Sequence, residues 1–135
     1  MNDLIGIDIG TAGTKTVLYD LEGHAVAQAM QEYPMAQPQN GWAEENPEDW
    51  WEATVATLQR VMKSSGAAPA EILGIGFSGQ MHSLVMLDES CRVLRPAILW
   101  SDGRTRDACG RNACCSGGCG QCGLGGRYGH CAAGR

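Results

Sequence analysis

The sequence lacks the features that would tie it to a membrane or to a nucleic acid. No apolar run approaches the roughly 20 residues that a membrane-spanning helix needs, and the N-terminus does not resemble a secretory signal. The fifteen acidic residues outnumber the ten basic ones, the net charge is −5, and there is no basic stripe. We therefore expect no membrane and no nucleic acid as partner, and a soluble, cytoplasmic protein with one domain.

Acidic residues and large apolar residues are scarce at the end of the chain, in residues 109–135. This segment holds six of the seven cysteines and nine of the nineteen glycines, so it cannot supply a core. We therefore divide the chain into a domain, residues 1–108, and a tail, residues 109–135. The tail is expected to be disordered or the product of off-frame translation of G+C-rich DNA.

A zinc site in the tail is the alternative interpretation of its cysteines. Cys119 and Cys122 form a C-x₂-C pair, as in many structural zinc sites. The other candidate ligands are Cys114, Cys115, His130 and Cys131. Their spacing is not that of a second tight pair, and the surrounding glycines would fix ligands poorly. A disulfide scaffold is less expected still, because the rest of the chain has cytosolic character.

The most informative segment lies near the N-terminus, in residues 6–15. The apolar run that begins just before this segment and enters it puts three isoleucines on one face of a predicted strand, because side chains alternate between faces. Asp8 then lies on the other face, between Gly6 and Gly10. The two glycines leave open space beside the carboxylate, and a metal-bound phosphate fits such a place.

The turn after this strand is rich in groups that bind phosphate. Gly10 and Gly13 make backbone N–H groups approachable. Thr11 and Thr14 add hydroxyls, and Lys15 adds a positive charge. The spacing matches neither the P-loop nor the dinucleotide-binding fingerprint. The alternative is a tight hairpin in which the carboxylate only ends a strand, and this segment alone favours neither interpretation.

The following segments predict a three-stranded antiparallel meander crossed by a helix. Two further strands are expected near residues 15–19 and 25–30. The helix should begin at Asn46 and Pro47, a cap followed by a first-turn proline, and end at Gly66. The residues predicted for its apolar face are Trp51, Val55, Leu58 and Met62, with Trp50 and Val61 beside them.

Polar side chains follow the later apolar runs. Residues 72–77 are predicted to form a buried parallel strand reached by the crossover helix. Residues 83–87 and 93–100 form two further apolar runs. Gln80, Met81 and His82 follow the first of these three runs, and Asp102 and Arg104 follow the last. Ligands of open α/β sheets bind at the carboxyl ends of strands, so we expect these groups to converge with Asp8 on one cleft.

Four segments in this order resemble one protein family. They are Asp8-Ile-Gly-Thr11 with Gly13 and Lys15, and residues 42–51, 76–82 and 95–104. Together they are similar to the N-terminal part of the FGGY carbohydrate kinases, over roughly residues 4–108, and Gln80-Met81-His82 resembles the xylulose kinases of that family. The fold class implied is α/β. It is the N-terminal portion of an actin-like, ribonuclease-H-like ATPase domain, with an antiparallel meander, a crossover helix, a mixed sheet and a disordered tail.

The resemblance also implies an activity and roles for single residues. The activity is ATP-dependent phosphorylation of D-xylulose to D-xylulose 5-phosphate, with ATP and Mg²⁺ as cofactors. Asp8 would hold Mg²⁺ and face the transferred phosphoryl group. The residues implied to bind the nucleotide phosphates are Thr11, Gly13, Thr14 and Lys15. The residues implied to contact the sugar are Gln80, Met81, His82, Trp100, Asp102 and Arg104.

Other interpretations stay open beside this one. Ser83 and Ser101 stand where xylulose kinases commonly have Gly and Asn, which leaves another sugar or polyol open as the substrate. A non-catalytic sugar-binding module is a further alternative. The family's catalytic aspartate and adenine-binding domain lie beyond the last family-like residue, so we expect this chain to be an inactive N-terminal fragment. The resemblance leaves open that full-length members form homodimers.

Overall fold

The computed structural model describes residues 2–106 and Ala108. The chain divides into two compact units, Met1–Asp102 and Gly103–Arg135. The zinc site and the disorder predicted for residues 109–135 lie outside the described residues, and the predicted domain boundary after residue 108 stays a prediction. The strands and helices between Asp3 and Ile98 belong to the first unit.

The described elements follow the predicted order of strands and crossover helix. In chain order they are β1 (Asp3–Ile9), β2 (Gly13–Tyr19), β3 (Ala25–Glu32), β4 (Glu44–Glu45), α1 (Pro47–Ser65), a 3₁₀ turn (Pro69–Glu71), β5 (Ile72–Gly79) and β6 (Ala97–Ile98). The larger sheet has the strand order β3-β2-β1-β5. β1 pairs antiparallel with β2 and parallel with β5, and β2 pairs antiparallel with β3. The predicted meander, crossover and mixed sheet are therefore confirmed.

The ends of helix α1 are where capping chemistry predicts them. The Asn46 side chain accepts a hydrogen bond from the Glu48 N–H at 3.3 Å, and Pro47 occupies the first helical position. Gly66 ends the helix with a φ of 71°, and its N–H donates to the carbonyl of Met62. A residue with a Cβ is disfavoured in this left-handed conformation, so glycine suits the cap.

The core lies between α1 and the first three strands. Ile5 and Ile7 of β1, Leu18 of β2 and Val61 of α1 are its buried residues. A hydrogen bond of 2.8 Å joins the hydroxyl of Thr16, on β2, to that of Thr57, on α1. Both threonines are fully buried. A pair of small hydroxyl side chains thus lies at the centre of the helix–sheet interface.

The prediction for the apolar face of the helix was wrong in part. The buried residues of α1 are Ala53, Thr54, Thr57 and Val61. Trp51 is 66% exposed, although Leu58 and Met62 do pack against the core. The physical reason is close approach. Small side chains let the helix backbone lie near the sheet, whereas a buried indole would hold the two layers apart.

The prediction that the strand at residues 72–77, which is β5, is buried was also wrong. β5 is parallel to β1, as expected. Its Ile75 and Phe77 are 49% and 70% exposed. They pair with Ile5 and Ile7, so they lie on the helix side of the sheet, but α1 packs mainly on β2 and β3. The described residues therefore leave an apolar strip along the outer strand.

A second, smaller sheet carries the later apolar runs. β4 pairs antiparallel with β6, and Leu84 forms a bridge with Ile98. Residues 83–87 and 93–100 thus contribute single bridges and one short strand rather than two long strands. The turn between them is closed by Asp88, whose carboxylate accepts from Arg92 Nε at 2.8 Å.

Gly13 is the glycine of the first turn whose replacement has the clearest structural consequence. A Cβ at Gly13 would lie 2.5 Å from the carbonyl oxygen of Gln31 and 3.0 Å from the Cα of Glu32, both on β3. We expect Gly13→Ala to lower the free energy of unfolding of the full chain by about 1–3 kcal/mol, because backbone cannot move aside as a side chain does. Urea unfolding followed by circular dichroism measures this.

Gly76→Ala is the matched control, because a Cβ there would have nothing within 4 Å. Both substitutions remove the same backbone freedom from the unfolded chain. Equal stability of the two variants would contradict the packing argument.

Candidate functional site

Asp8 lies on the sheet face opposite to helix α1, as the alternation of β1 predicts. The strand register places Asp8 beside Lys15 of β2 and beside Ser78 of β5. Asp8, Lys15 and Ser78 are all exposed. A carboxylate, an ammonium and a hydroxyl therefore form one row across the open face of the sheet.

A cavity of about 380 Å³ lies against this row. Its lining residues are Gly6, Ile7, Asp8, Lys15, Val17, Tyr19, Gly76, Phe77 and Ser78. Gly76 borders open space, since a Cβ there would meet nothing within 4 Å. The lack of a side chain at Gly76 therefore leaves space in this part of the cavity.

The turn between β1 and β2, residues 10–13, is the segment that we call the glycine turn. The N–H of Gly10 donates to the carbonyl of Gly13 at 3.0 Å, which closes the turn. The hydroxyl of Tyr33 donates a second hydrogen bond to this turn, to the carbonyl of Gly10. Burial raises the pKa of the Tyr33 phenol above its usual value, and the charges of Glu45 and Asp8 add to this rise. Sequence reasoning missed Tyr33, which lies far along the chain from the turn that it supports.

Thr14 occupies a different place from the one that its predicted role needs. Its pairing partner in β1 is Ile9, which packs against the core, so Thr14 faces helix α1 and is fully buried. Asp8 and Lys15 point to the other face. The strand alternation that places Lys15 on the face of Asp8 therefore places the Thr14 hydroxyl on the opposite face, and the geometry gives no support to phosphate binding by that hydroxyl.

Thr11 connects the glycine turn to two other segments of the predicted site. Its hydroxyl lies 3.2 Å from Oε1 of Gln80, in the loop that follows β5. Nε1 of Trp100, which follows β6, donates to the same hydroxyl at 3.4 Å. Three segments far apart in sequence thus meet at Thr11.

Glu45 is a further member of this network that the sequence analysis did not identify. Its side chain is 2% exposed, and its Oε2 accepts from Gln80 Nε2 at 2.9 Å and from Trp50 Nε1 at 2.7 Å. The residue stands in an acidic stretch that is typical of a solvated surface. Both residues of the two-residue strand β4 are buried, so no alternation marks Glu45 in the sequence.

The remaining predicted sugar residues have distinct positions. Met81 is 66% exposed, and His82 is exposed with a φ of 60°, in the left-handed region that favours glycine. Oδ2 of Asp102 accepts from the N–H of Ala43 at 2.7 Å, so this carboxylate anchors the segment that precedes Glu45. Arg104 belongs to the second unit. The assignments of all these side chains to a sugar remain predictions.

The donor set at Asp8 suits a magnesium ion that is shared with phosphate groups. Among residues 2–106 and Ala108, no three His, Cys, Asp or Glu side chains form a group that could hold a metal. Mg²⁺ is commonly bound through one or two carboxylates, water and the phosphates of a substrate, rather than by a cage of protein ligands. The single exposed carboxylate of Asp8, with Lys15 beside it, fits that mode.

No helix in the described part of the chain is both long and apolar enough to cross a membrane.

The comparisons with known proteins agree on one family. Residues 4–112 match the model of the FGGY family of carbohydrate kinases, N-terminal domain. A xylulose kinase of Bacillus subtilis (strain 168) is 44% identical over 109 residues, which are 81% of this chain and 22% of that protein. A glycerol kinase of Nitrobacter hamburgensis is 36% identical over 109 residues, 80% of this chain and 22% of that protein. This chain therefore spans about a fifth of the length of these relatives.

Solved structures support the same conclusion. The crystal structure of xylulose kinase from Rhodospirillum rubrum superposes with a TM-score of 0.78 at 34% identity, over 84% of this chain and 23% of that one. The predicted fold class is thereby confirmed for the part of the chain that matches.

The raised pKa of Tyr33 predicts that the stability of the folded chain depends on pH. Its pKa is raised in the folded state, so the stability that Tyr33 contributes is complete below the ordinary tyrosine value of about 10 and is lost as the pH rises through the folded-state pKa. We expect Tyr33→Phe to weaken the loss of stability between neutral and strongly alkaline pH. Thermal unfolding of the full chain over that range measures this.

An absorbance titration of the tyrosinate band, compared between the two proteins, isolates the ionisation of Tyr33. A difference titration centred at the ordinary tyrosine value would contradict the burial argument.

Proposed function

The chain belongs to the FGGY family of carbohydrate kinases, and we propose that it serves the ATP-dependent phosphorylation of D-xylulose to D-xylulose 5-phosphate. The observation that carries the proposal is the junction at Thr11. There the glycine turn, which lies beside Asp8 and Lys15, is hydrogen-bonded to Gln80 of the Gln80-Met81-His82 segment. Phosphoryl transfer needs little covalent chemistry from a protein and depends on positioning and charge stabilisation. A site that fixes phosphate groups relative to a sugar hydroxyl meets that need.

The phosphate side of the proposed site is the open face of the sheet. The Asp8 carboxylate would hold Mg²⁺, which when bound bridges phosphate oxygens and neutralises part of their charge. The Lys15 ammonium lies next to Asp8 in the register and adds a second positive charge for the phosphates. Gly10 lies next to Asp8 at the same edge, whereas Gly13 is buried against β3 and closes the turn by accepting from the Gly10 N–H. In this proposal the hydroxyl of Thr11 holds the glycine turn to Gln80, whereas Thr14 faces the core.

The sugar side is the group of loops that follow β5 and β6. Met81 and His82 directly follow Gln80, and both are exposed. A histidine held with positive φ is strained, and such strain persists only where the surrounding structure enforces it. We assign Met81 and His82 to the sugar, with Trp100 at the edge of the same group. Asp102 supports this group through Ala43, and the contribution of Arg104 is inferred from the family resemblance.

A second candidate substrate is a polyol such as glycerol. The 36% identity to a glycerol kinase is the observation that supports this second candidate. The matched segment alone does not separate the two substrates, because both groups of relatives match over the same length. D-xylulose is proposed first because Gln80-Met81-His82 resembles the xylulose kinases. Because the proposed phosphoryl donor is ATP, the proposed location is the cytoplasm.

A chimera tests the function of this segment in an active setting. In it, the matched residues of the Bacillus subtilis xylulose kinase are replaced by those of this chain. A coupled ADP-release assay measures turnover with D-xylulose and with glycerol. The same assay on the 135-residue chain tests the expectation that this chain alone is inactive.

Asp8→Asn in the chimera should lower kcat with D-xylulose by about 100-fold or more, because the amide cannot supply the charge that Mg²⁺ needs. Asp20→Asn is the matched control, since Asp20 is a carboxylate outside the site that pairs with His24 in the β2–β3 turn. It should leave kcat unchanged. Equal kcat values for the two variants would contradict the role of Asp8.

His82→Ala in the chimera should raise the KM for D-xylulose about tenfold while leaving the KM for ATP unchanged, because the side chain is assigned to the sugar and not to the phosphates. His24→Ala, at an exposed position far along the sequence from the sugar segment, is the control. A chimera that phosphorylates glycerol faster than D-xylulose would transfer the proposal to the polyol kinases.

A further inference from the structure

Glu45 is an acidic side chain buried within the protein, and neither the phosphate side nor the sugar side of the proposed site uses it. It is 2% exposed and lies on β4, two residues before Pro47, the first residue of α1. Burying a carboxylate is costly unless hydrogen bonds compensate for lost hydration. We propose that Glu45 is a positioning residue that fixes the Gln80 side-chain amide and thereby joins the glycine turn to the sugar loop, as we call residues 80–82 after β5. The inference rests on the function proposed above.

The chemistry of the partners determines the direction of every hydrogen bond in this network. A carboxylate only accepts, and the indole of Trp50 only donates, so Trp50 Nε1–H donates to Oε2 of Glu45. The Gln80 group that faces the same oxygen must therefore be its NH₂ end, at 2.9 Å. This leaves the Gln80 carbonyl Oε1 facing Thr11. Glu45 thus selects one of the two orientations that a glutamine amide can adopt.

The selected orientation determines what Thr11 does. Because Gln80 Oε1 only accepts, the Thr11 hydroxyl must donate its hydrogen to it. Trp100 Nε1–H donates to the oxygen of the same hydroxyl. The hydrogens of the network all point from Trp100 through Thr11 and Gln80 toward Glu45. A flipped Gln80 amide would place an NH₂ group against Thr11 and a carbonyl against the carboxylate, and the second contact is repulsive.

The two oxygens of Glu45 differ in their hydrogen bonds, and this difference indicates whether the network needs the charge of the side chain or only an acceptor oxygen. Within the described residues, Oε1 of Glu45 is buried and has no hydrogen-bond partner, whereas Oε2 accepts both N–H groups. One well-placed acceptor oxygen therefore suffices for the network. A glutamine at this position keeps such an oxygen, and its NH₂ group would take the place of an atom that makes no hydrogen bond. An alanine removes the acceptor altogether.

Indole ¹⁵N–¹H spectra of the full chain test the network without requiring activity. The chain has four tryptophans, so the two relevant resonances can be assigned with Trp50→Phe and Trp100→Phe. Glu45→Ala should shift the Trp100 resonance, although Trp100 is separated from Glu45 by Thr11 and Gln80. Glu45→Gln should leave the Trp100 resonance near its parental position.

Two further variants protect this test against a simple loss of folding. Gln80→Leu keeps Glu45 but removes the amide, and it should shift Trp100 in the same way as Glu45→Ala. Glu44→Ala removes the neighbouring buried carboxylate, which pairs with Arg95 instead, and it should not shift Trp100. Circular dichroism verifies that each variant is folded. An unmoved Trp100 resonance in folded Glu45→Ala or Gln80→Leu would overturn the proposal.

The chimera supplies the functional readout. Glu45→Ala should raise the KM for D-xylulose about tenfold or more, because a small displacement of a positioning group has effects of this size. Glu45→Gln should restore the parental value. If Glu45→Gln is as impaired as Glu45→Ala, the charge is what matters and the acceptor argument fails. A parental chimera without activity on D-xylulose would contradict the proposed function, and the spectra would then decide on Glu45.

Discussion

The hydrogen-bond register of β1 is the constraint on which the rest of the structure depends. This first strand pairs on both sides, antiparallel with β2 and parallel with β5. The register places Asp8 level with Lys15 and Ser78. A slip by one residue would turn Asp8 toward the core and the isoleucines toward water. Burial of Ile5 and Ile7 against α1 therefore fixes the place of the carboxylate on the other face.

The residues that pack the core and the residues of the candidate site lie on opposite sides of the sheet. Helix α1 covers β2 and β3 on one side, and the hydrogen-bonded pair Thr16 and Thr57 holds it close. The opposite side keeps its glycines and charged groups beside a cavity. Changes that affect the helix side act on stability, whereas changes on the open side act on the groups available to a ligand. The two effects meet at the glycine turn, because Gly13 packs against β3 while Gly10 lies next to Asp8.

The features that local chemistry determines could be predicted from the sequence, and the features that depend on tertiary contacts could not. The helix limits follow from the cap at Asn46 and the left-handed glycine at its end, and the face of Asp8 follows from strand alternation. The exposure of Phe77 could not be predicted, because it depends on how far the crossover helix reaches across the sheet. Thr14 shows the same limit on a smaller scale. Its residue type suits phosphate binding, but the register turns it to the core.

Glu45 shows why a buried polar network cannot be recognised from motifs alone. Its neighbours in sequence are acidic and suggest a solvated surface, yet its partners come from α1 and from the loop after β5. All hydrogen bonds of the network run in one direction. A carboxylate at one end only accepts hydrogen bonds, so each amide and hydroxyl between it and Trp100 has a single orientation. Rotational freedom at Gln80 would otherwise let the glycine turn and the sugar loop move independently. Two N–H donors, one from α1 and one from the loop after β5, thus bind one oxygen of a buried carboxylate, and in our proposal they set the position of the glycine turn relative to that loop.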